Sequence, residues 1–243
     1  MSERHWPRPA LATTALALLG AAAVAGCGNS ASTSQAGAAQ TAGVAAAGTG
    51  TKSFTAVQLK SALLTKVGGS NPAAPAEAGD YGALPDVRTS KQTMHGVKVN
   101  PARCAQATVT GFNSAVFAHA PASVVTFRVG RNGVSEVLVS ATPEVASTAL
   151  GSKLPDGCAH YTATVNGRTF RYSVKEAALT GLADQARALN VKAAGYSQVN
   201  VWSVVYRADG FVGAVTIVGP DASQADATKL AKQAYAYAIQ SLH

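Results

Sequence analysis

Three pairs of strand-like runs, each joined by a tight turn, restrict the fold of this 243-residue chain more than any other feature. The turns are Gly-Arg-Asn-Gly at residues 130–133, Asn-Gly at 166–167 and Asp-Gly at 209–210. β-Branched runs favour strands, and Asn-Gly or Asp-Gly favours the short turns of β-hairpins. The sequence therefore predicts six antiparallel strands. Residues 199–207 are apolar at both odd and even positions, which predicts a central strand that is covered on both faces.

The segment before the first hairpin is predicted to hold two helices and a long loop. The first helix, SFTAVQLKSALLT, has Ser53 as its cap, and its apolar residues include Val57, Leu59, Leu63 and Leu64. Three prolines indicate a loop over residues 68–90. Asn100 followed by Pro101 is a helix start signal, so a second helix is expected to carry Cys104.

Three further helices are predicted between and after the hairpins. Thr142 and Pro143 open a short helix that ends near Leu150, and residues 176–189 have a helical composition. The last helix begins with a capping-box pattern at Asp221 and Gln224. Its small and apolar residues share one face, namely Ala227, Leu230, Ala231, Ala234 and Ala238. The predicted class is α+β, with helices packed on an antiparallel sheet of about six strands.

The first 27 residues have the layout of a bacterial lipoprotein signal peptide. A short basic region is followed by an apolar run of signal-peptide length and by the sequence Val-Ala-Gly-Cys, which ends at Cys27. This sequence resembles the lipobox, in which the first mature cysteine is diacylated. Two acyl chains hold a protein stably on a membrane without a spanning helix. We therefore expect a lipid anchor at Cys27 on the extracytoplasmic face of the cell membrane; an ordinary secretory signal is the alternative.

Residues 28–52 are predicted to form a flexible tether, because through Thr51 they contain no charged or aromatic residue. Residues 53–243 then have the length and apolar content of one domain. After loss of residues 1–27 the net charge is +7. The basic residues are dispersed along the sequence, which disfavours nucleic acid as a partner and favours a solvated surface. Expected partners are the membrane, through the anchor, and a cell-wall or lipid ligand; the oligomeric state stays open.

Cys104 and Cys158 remain as an even pair once Cys27 is assigned to lipid. Because disulfides persist outside the cytoplasm, we expect the two to be bonded to each other. The alternative is a metal site that uses both cysteines with His95, His119 or His160, but the sequence lacks the short ligand spacings of zinc sites. No metal or other cofactor is expected.

The order of these elements resembles that of actinobacterial envelope lipoproteins with a sensor-like domain. The resemblance rests on the lipobox, the tether, the leading helix, MHGVKVNPARCAQ, CAHYTATVNGRTF, the strand with Trp202 and the final amphipathic helix. That domain is similar to the extracellular sensor domain of mycobacterial receptor-type serine/threonine kinases. The resemblance implies a ligand cleft and two disulfides, whereas this chain can form one.

No nucleophile elbow, zinc-protease, phosphate-loop or dinucleotide motif occurs in the sequence, so we expect no catalysis. The favoured hypothesis is an envelope-anchored module that binds or senses a ligand in a cleft near residues 66–99. Tyr81, Met94 and His95 are the candidate ligand-binding residues there, although each is also explained by packing or loop roles. The alternative is a lipid carrier, which would need a wide apolar cavity.

Overall fold

A computed structural model describes residues 52–107, 115–151, 153–194 and 199–242, and within these ranges nine strands form one antiparallel sheet. The strands are β1 (Glu77–Asp80), β2 (Lys98–Asn100), β3 (Pro121–Val129), β4 (Asn132–Ser140), β5 (His160–Val165), β6 (Arg168–Leu179), β7 (Gln185–Ala194), β8 (Val199–Ala208) and β9 (Phe211–Gly219). Their order across the sheet is β1-β3-β4-β9-β8-β7-β6-β5-β2. Strand β8 is fifth of nine, so the prediction of a central strand is confirmed.

The described helices lie on both faces of this sheet. They are α1 (Ala56–Ser61), α2 (Pro85–His95), α3 (Pro143–Gly151) and α4 (Gln224–Leu242), with 3-10 helices at Tyr81–Ala83, Ala102–Gln106 and Ala115–Phe117. The α+β class is therefore confirmed. None of the helices in the described part of the chain is long and apolar enough to cross a membrane.

The expected count of about six strands is too low by three. The three predicted hairpins are present as β3–β4, β5–β6 and β8–β9. The additional strands are β1 and β2, which are the two edges of the sheet, and β7. The edge strands have four and three residues, so their sequences contain too few alternating positions to predict a strand.

The helix predicted over residues 176–189 is wrong, because this segment forms the end of β6, a turn and the start of β7. Gly181 and Ala183 both have positive φ, at 71° and 56°, which a helix cannot accommodate. In β7, Ala186 and Ala188 pack on the α4 side of the sheet, whereas Leu189 and Val191 pack on the opposite side. Pairing with β6 and β8 thus overrides the helical propensity of the alanines.

Helices α1 and α4 cover one face of the sheet, which we call the α4 side. The residues of α4 that were predicted to share a face, Ala227, Leu230, Ala231, Ala234 and Ala238, are all buried there. The capping box predicted at Asp221 and Gln224 is wrong. Ser223 Oγ instead accepts a 3.1 Å hydrogen bond from the backbone N–H of Asp226, and Asp221 forms a two-bond ion pair with Arg131.

Helix α1 is shorter than predicted, and its cap is Thr55 rather than Ser53. The Thr55 hydroxyl accepts from the Gln58 backbone, and the Gln58 side chain accepts from the Thr55 backbone. Leu59 and Leu63 are buried as expected, but Val57 is 75 % exposed. The reciprocal capping box therefore sets the start of this helix.

Two other segments also differ from the sequence prediction. The loop predicted over residues 68–90 contains β1 and the first half of α2, which has proline at its first position and Asp86 in its first turn. The helix predicted to start at Asn100 and Pro101 is a 3-10 helix, Ala102–Gln106, without a side-chain cap. The short helix predicted from Thr142 is present as α3.

Candidate functional site

A shallow cleft of about 330 Å³ lies between edge strand β1 and the first turn of α2. It is lined by two carboxylic acids, Glu77 and Asp80, by the strand backbone between them and by apolar residues that lead into α2, namely Ala83, Leu84 and Pro85. Its volume is at the lower end of the range for sites that hold small ligands. The cleft lies within the region 66–99 in which the sequence analysis expected one.

The wall of the cleft is fixed by backbone contacts with the segment that precedes β3. The backbone N–H of Tyr81 donates to the carbonyl of Ala120, and that of Gly82 donates to the carbonyl of Ala118, each at 2.9 Å. A Cβ atom at Gly82 would lie 2.9 Å from the same Ala118 carbonyl oxygen, so this close approach requires glycine. The short helix Tyr81–Ala83 is thus held against the segment before β3, and it fixes the position of β1 relative to the first turn of α2, the two elements that form the cleft.

Two of the seven residues that line the cleft are acidic, on a chain whose formal net charge is +8. Glu77 Oε2 accepts a 3.2 Å hydrogen bond from the backbone N–H of Asp86. Burial raises the pKa of Glu77, an effect that the Asp86 N–H opposes and the nearby Asp86 carboxylate reinforces. Burial also raises the pKa of Asp86. Asp80 Oδ2 lies 3.7 Å from His119 Nδ1 at the rim. Glu77 and Asp80 are therefore the residues at the cleft whose side chains could accept hydrogen bonds from a ligand.

The three candidate ligand-binding residues do not line this cleft. Tyr81 is 8 % exposed and packs in the core beside Leu84 and Phe117, and burial raises its pKa to about 12. Met94 is half-buried and His95 is exposed, both in the last turn of α2. The cleft adjoins the first turn of this 11-residue helix, and about 15 Å separates the two ends of the helix.

Sequence reasoning did not single out Glu77, Asp80 and Asp86 as one site. The usable signal was the Pro85-Asp86 pair, which is typical of a helix start and would have placed Asp86 beside the preceding acidic residues. The strand at Glu77–Asp80 gave no such signal, because it forms only by pairing with β3.

Cys104 and Cys158 form a disulfide, with their Cα atoms 5.3 Å apart, as the sequence predicts. Both residues are fully buried on the side of the sheet opposite α4, in the core cluster that contains Phe170 and Tyr172. Since each sulfur is bonded to the other, the alternative metal site with these cysteines is excluded. In the described part of the chain no group of three His, Cys, Asp or Glu residues could hold a metal ion. Cys27 and most of the predicted tether lie outside the described residues.

Comparison with known proteins defines the fold. No protein-family model and no curated protein sequence matches this chain. The structure is similar to the crystal structure of the extracellular domain of PknH from Mycobacterium tuberculosis, with a TM-score of 0.54 at 12 % identity over 79 % of this chain and 100 % of that chain. A putative uncharacterized protein from Mycobacterium smegmatis, an Rv0999 ortholog, matches with a TM-score of 0.39 at 17 % identity, over 60 % of this chain and 76 % of that chain. The first similarity shows that this chain has the fold of the PknH extracellular domain, in agreement with the resemblance that the order of its sequence elements suggested.

Proposed function

We propose that this chain is an extracytoplasmic binding or sensing module, tethered to the membrane through a lipid on Cys27, that binds an envelope ligand without catalysis. The observation that carries the proposal is the similarity to the extracellular domain of PknH, which spans all of that domain. The acidic cleft supports it by offering a place for a ligand on the same domain.

The chemistry of the cleft favours a polar ligand with hydrogen-bond donors. Glu77 and Asp80 contribute carboxylate acceptors, and β1 is an edge strand whose outer backbone groups have no neighbouring strand within the sheet. Edge strands bind extended peptides through main-chain hydrogen bonds, with side-chain pockets adding specificity. We therefore propose a peptide-like envelope fragment with amino or amide groups as the ligand of the cleft.

The proposed anchor determines where the domain works. A flexible tether of about 25 residues has a typical end-to-end distance of about 25–30 Å, so the domain would sit close above the lipid surface. Envelope fragments near the membrane would then be within its reach. The chain contributes no recognised catalytic motif, and the proposal assigns no covalent step to it.

A thermal-shift screen tests the proposed function. The protein would be heated with peptidoglycan fragments, glycans, anionic polymers and lipids, and a ligand present at about one hundred times its dissociation constant should add about 2.7 kcal/mol of stability. Stabilisation by a peptide-containing fragment supports the proposal. Turnover of any compound would contradict the non-catalytic role, and lipid that copurifies in an apolar cavity would favour the carrier alternative.

A further inference from the structure

On the α4 side of the sheet, three of the nine strands have no described helix packed on them. Helix α4 packs on β7, β8 and β9, and α1 packs on β1, β3 and β4. Strands β6, β5 and β2 continue beyond α4, and their side chains alternate in burial. Tyr172 and Val174 are buried on the disulfide side, whereas Arg171 and Lys175 are exposed on the α4 side. We call this exposed surface of β2, β5, β6 and β7 the basic floor.

Four cations lie on the basic floor, and none of them forms an ion pair with a described residue. They are Lys98 on β2, Arg171 and Lys175 on β6, and Lys192 on β7. These four strands contain a single acidic residue, Glu176, which lies on the opposite side and pairs with Arg187 at 3.5 Å. The positive charge of the floor is therefore not neutralised within it.

The strand register places three of these cations next to one another. Lys192 lies directly opposite Ser173, so it is the diagonal neighbour of both Arg171 and Lys175. Diagonal neighbours on one face of a sheet are about 7–8 Å apart. Lys98 lies farther away, at the edge of the sheet, because it pairs with Thr164 of β5, whose partner on β6 is Thr169. The hydroxyl group of Ser173 lies on β6 between Arg171 and Lys175, directly opposite Lys192, where it can donate a further hydrogen bond to an anion.

The shape of the surface indicates what kind of polyanion fits it. Helix α4 stands about 10 Å high beside the floor, so the two form a step. A flat bilayer would meet the helix before it met the floor, whereas a flexible polymer can lie in the step. The large apolar residues that are most exposed in the described chain, Val57 and Val116, lie outside the floor, which therefore has no group to insert into lipid. Phe, Tyr and Trp are likewise missing from its exposed positions in the described strands, which disfavours stacking with nucleic-acid bases.

We propose that the basic floor binds an elongated polyanion of the cell envelope in which phosphate groups recur along a flexible backbone, such as a phosphodiester-linked polyol chain. Charge complementarity carries the proposal, because three neighbouring cations and a fourth at the edge of the sheet, none with an ion-pair partner among the described residues, match a series of anions better than a single one. The proposal takes only the extracytoplasmic location from the proposed function, and the floor is separate from the acidic cleft.

The test is a titration of the full chain, purified in a neutral detergent, with fluorescent poly(glycerol phosphate). The floor variant is Arg171→Gln/Lys192→Gln, and the matched control is Arg128→Gln/Lys60→Gln, which removes one arginine and one lysine that are exposed elsewhere. We expect the floor variant to bind about tenfold more weakly than the control, with a smaller dependence on salt between about 50 and 200 mM because fewer counterions are released. All four substituted residues are exposed, so both variants should keep the melting temperature of the wild type.

Four results would overturn the proposal. They are no binding of the polymer, equal losses in the floor variant and the control, tighter floor-dependent binding to phosphatidylglycerol vesicles, and tighter floor-dependent binding to a single-stranded oligonucleotide. The last two would identify the floor as a membrane or a nucleic-acid contact. Ligand binding at the cleft is measured separately with Glu77→Ala/Asp80→Ala, so failure at the floor is distinguishable from failure of the proposed function.

Discussion

The backbone N–H of Leu64 donates a 2.8 Å hydrogen bond to Oε2 of Glu136, a β4 carboxyl group that is 1 % exposed beneath α1. The second oxygen, Oε1, has no hydrogen-bond partner among the described residues, and the same holds for the buried hydroxyl of Tyr206. Burial raises the pKa of Glu136 to about 8, and the Leu64 hydrogen bond opposes this rise without cancelling it. The carboxyl group is therefore mostly protonated at neutral pH.

This carboxyl group should make stability fall as pH rises. The pKa is 4.5 in the reference state and about 8 in the folded state, so between these values the folded protein binds more protons than the unfolded chain. The free energy of unfolding should decrease across this window by up to about 1.4 kcal/mol per pH unit and level off above it. Urea unfolding at a series of pH values measures this slope.

Glu136→Gln is the variant that isolates the effect. The amide keeps an acceptor for Leu64 but does not titrate, so most of the slope should disappear and the variant should exceed the wild type in stability near pH 8. The raised pKa values of Glu77 and Asp86 act in the same direction and leave a small residual slope. An unchanged slope in the variant would show that another group causes the pH dependence.

The disulfide should contribute substantially to stability. It closes a loop with a sequence separation of 54, for which the chain-entropy estimate is about 4 kcal/mol. Replacing both Cys104 and Cys158 by alanine should lower the free energy of unfolding by about 2–5 kcal/mol, measured by urea unfolding. Equal stability of the double variant and the wild type would contradict this account, as would two free thiols in the native protein by mass spectrometry.

Because α4 packs closely on the sheet, replacing one of its buried alanines by a larger residue should destabilise the protein. Ala231 is completely buried, whereas Ala236 on the same helix is exposed. Ala231→Leu should lower the free energy of unfolding by about 1–3 kcal/mol through overpacking, whereas Ala236→Leu should change it by less than about 0.5 kcal/mol. Similar values for the two variants would indicate a loosely packed interface.

The predicted anchor can be tested by labelling. Cells that express the wild type should incorporate labelled palmitate into the protein and carry it in the membrane fraction, and Cys27→Ser should abolish the label. Incorporation of label by the serine variant would contradict lipid attachment at this residue.

The features that were predictable from sequence are those with local causes. Asn166 and Gly167 adopt positive φ angles of 50° and 76° in the β5–β6 turn, and residues of this type favour such turns whatever surrounds them. The disulfide is a long-range contact, but it was predictable because Cys104 and Cys158 are the two cysteines that remain once Cys27 is assigned to lipid. Strand β7 was missed because its alanines are good helix formers and only the long-range pairing with β6 and β8 makes them extended.

Both surfaces proposed to bind ligands depend on those long-range pairings. Arg171 and Lys192 are 21 positions apart in the sequence, so their dispersal suggested a generally solvated surface. The β6–β7 register places them as diagonal neighbours. The acidic cleft likewise requires β1, which forms only against β3. Composition along the chain could not predict either arrangement, because each depends on which strands become neighbours.

The most direct test of the central claim is a calorimetric titration with the ligand that stabilises the protein most in the thermal-shift screen. The cleft variant is Glu77→Ala/Asp80→Ala, and the charge-matched control is Asp156→Ala/Asp184→Ala, whose residues are exposed away from the cleft. Each lost charge-assisted hydrogen bond is worth about 1.5–3 kcal/mol, so the cleft variant should bind at least about tenfold more weakly. The control should bind like the wild type. Unchanged affinity in the cleft variant would contradict the assignment of ligand binding to this cleft.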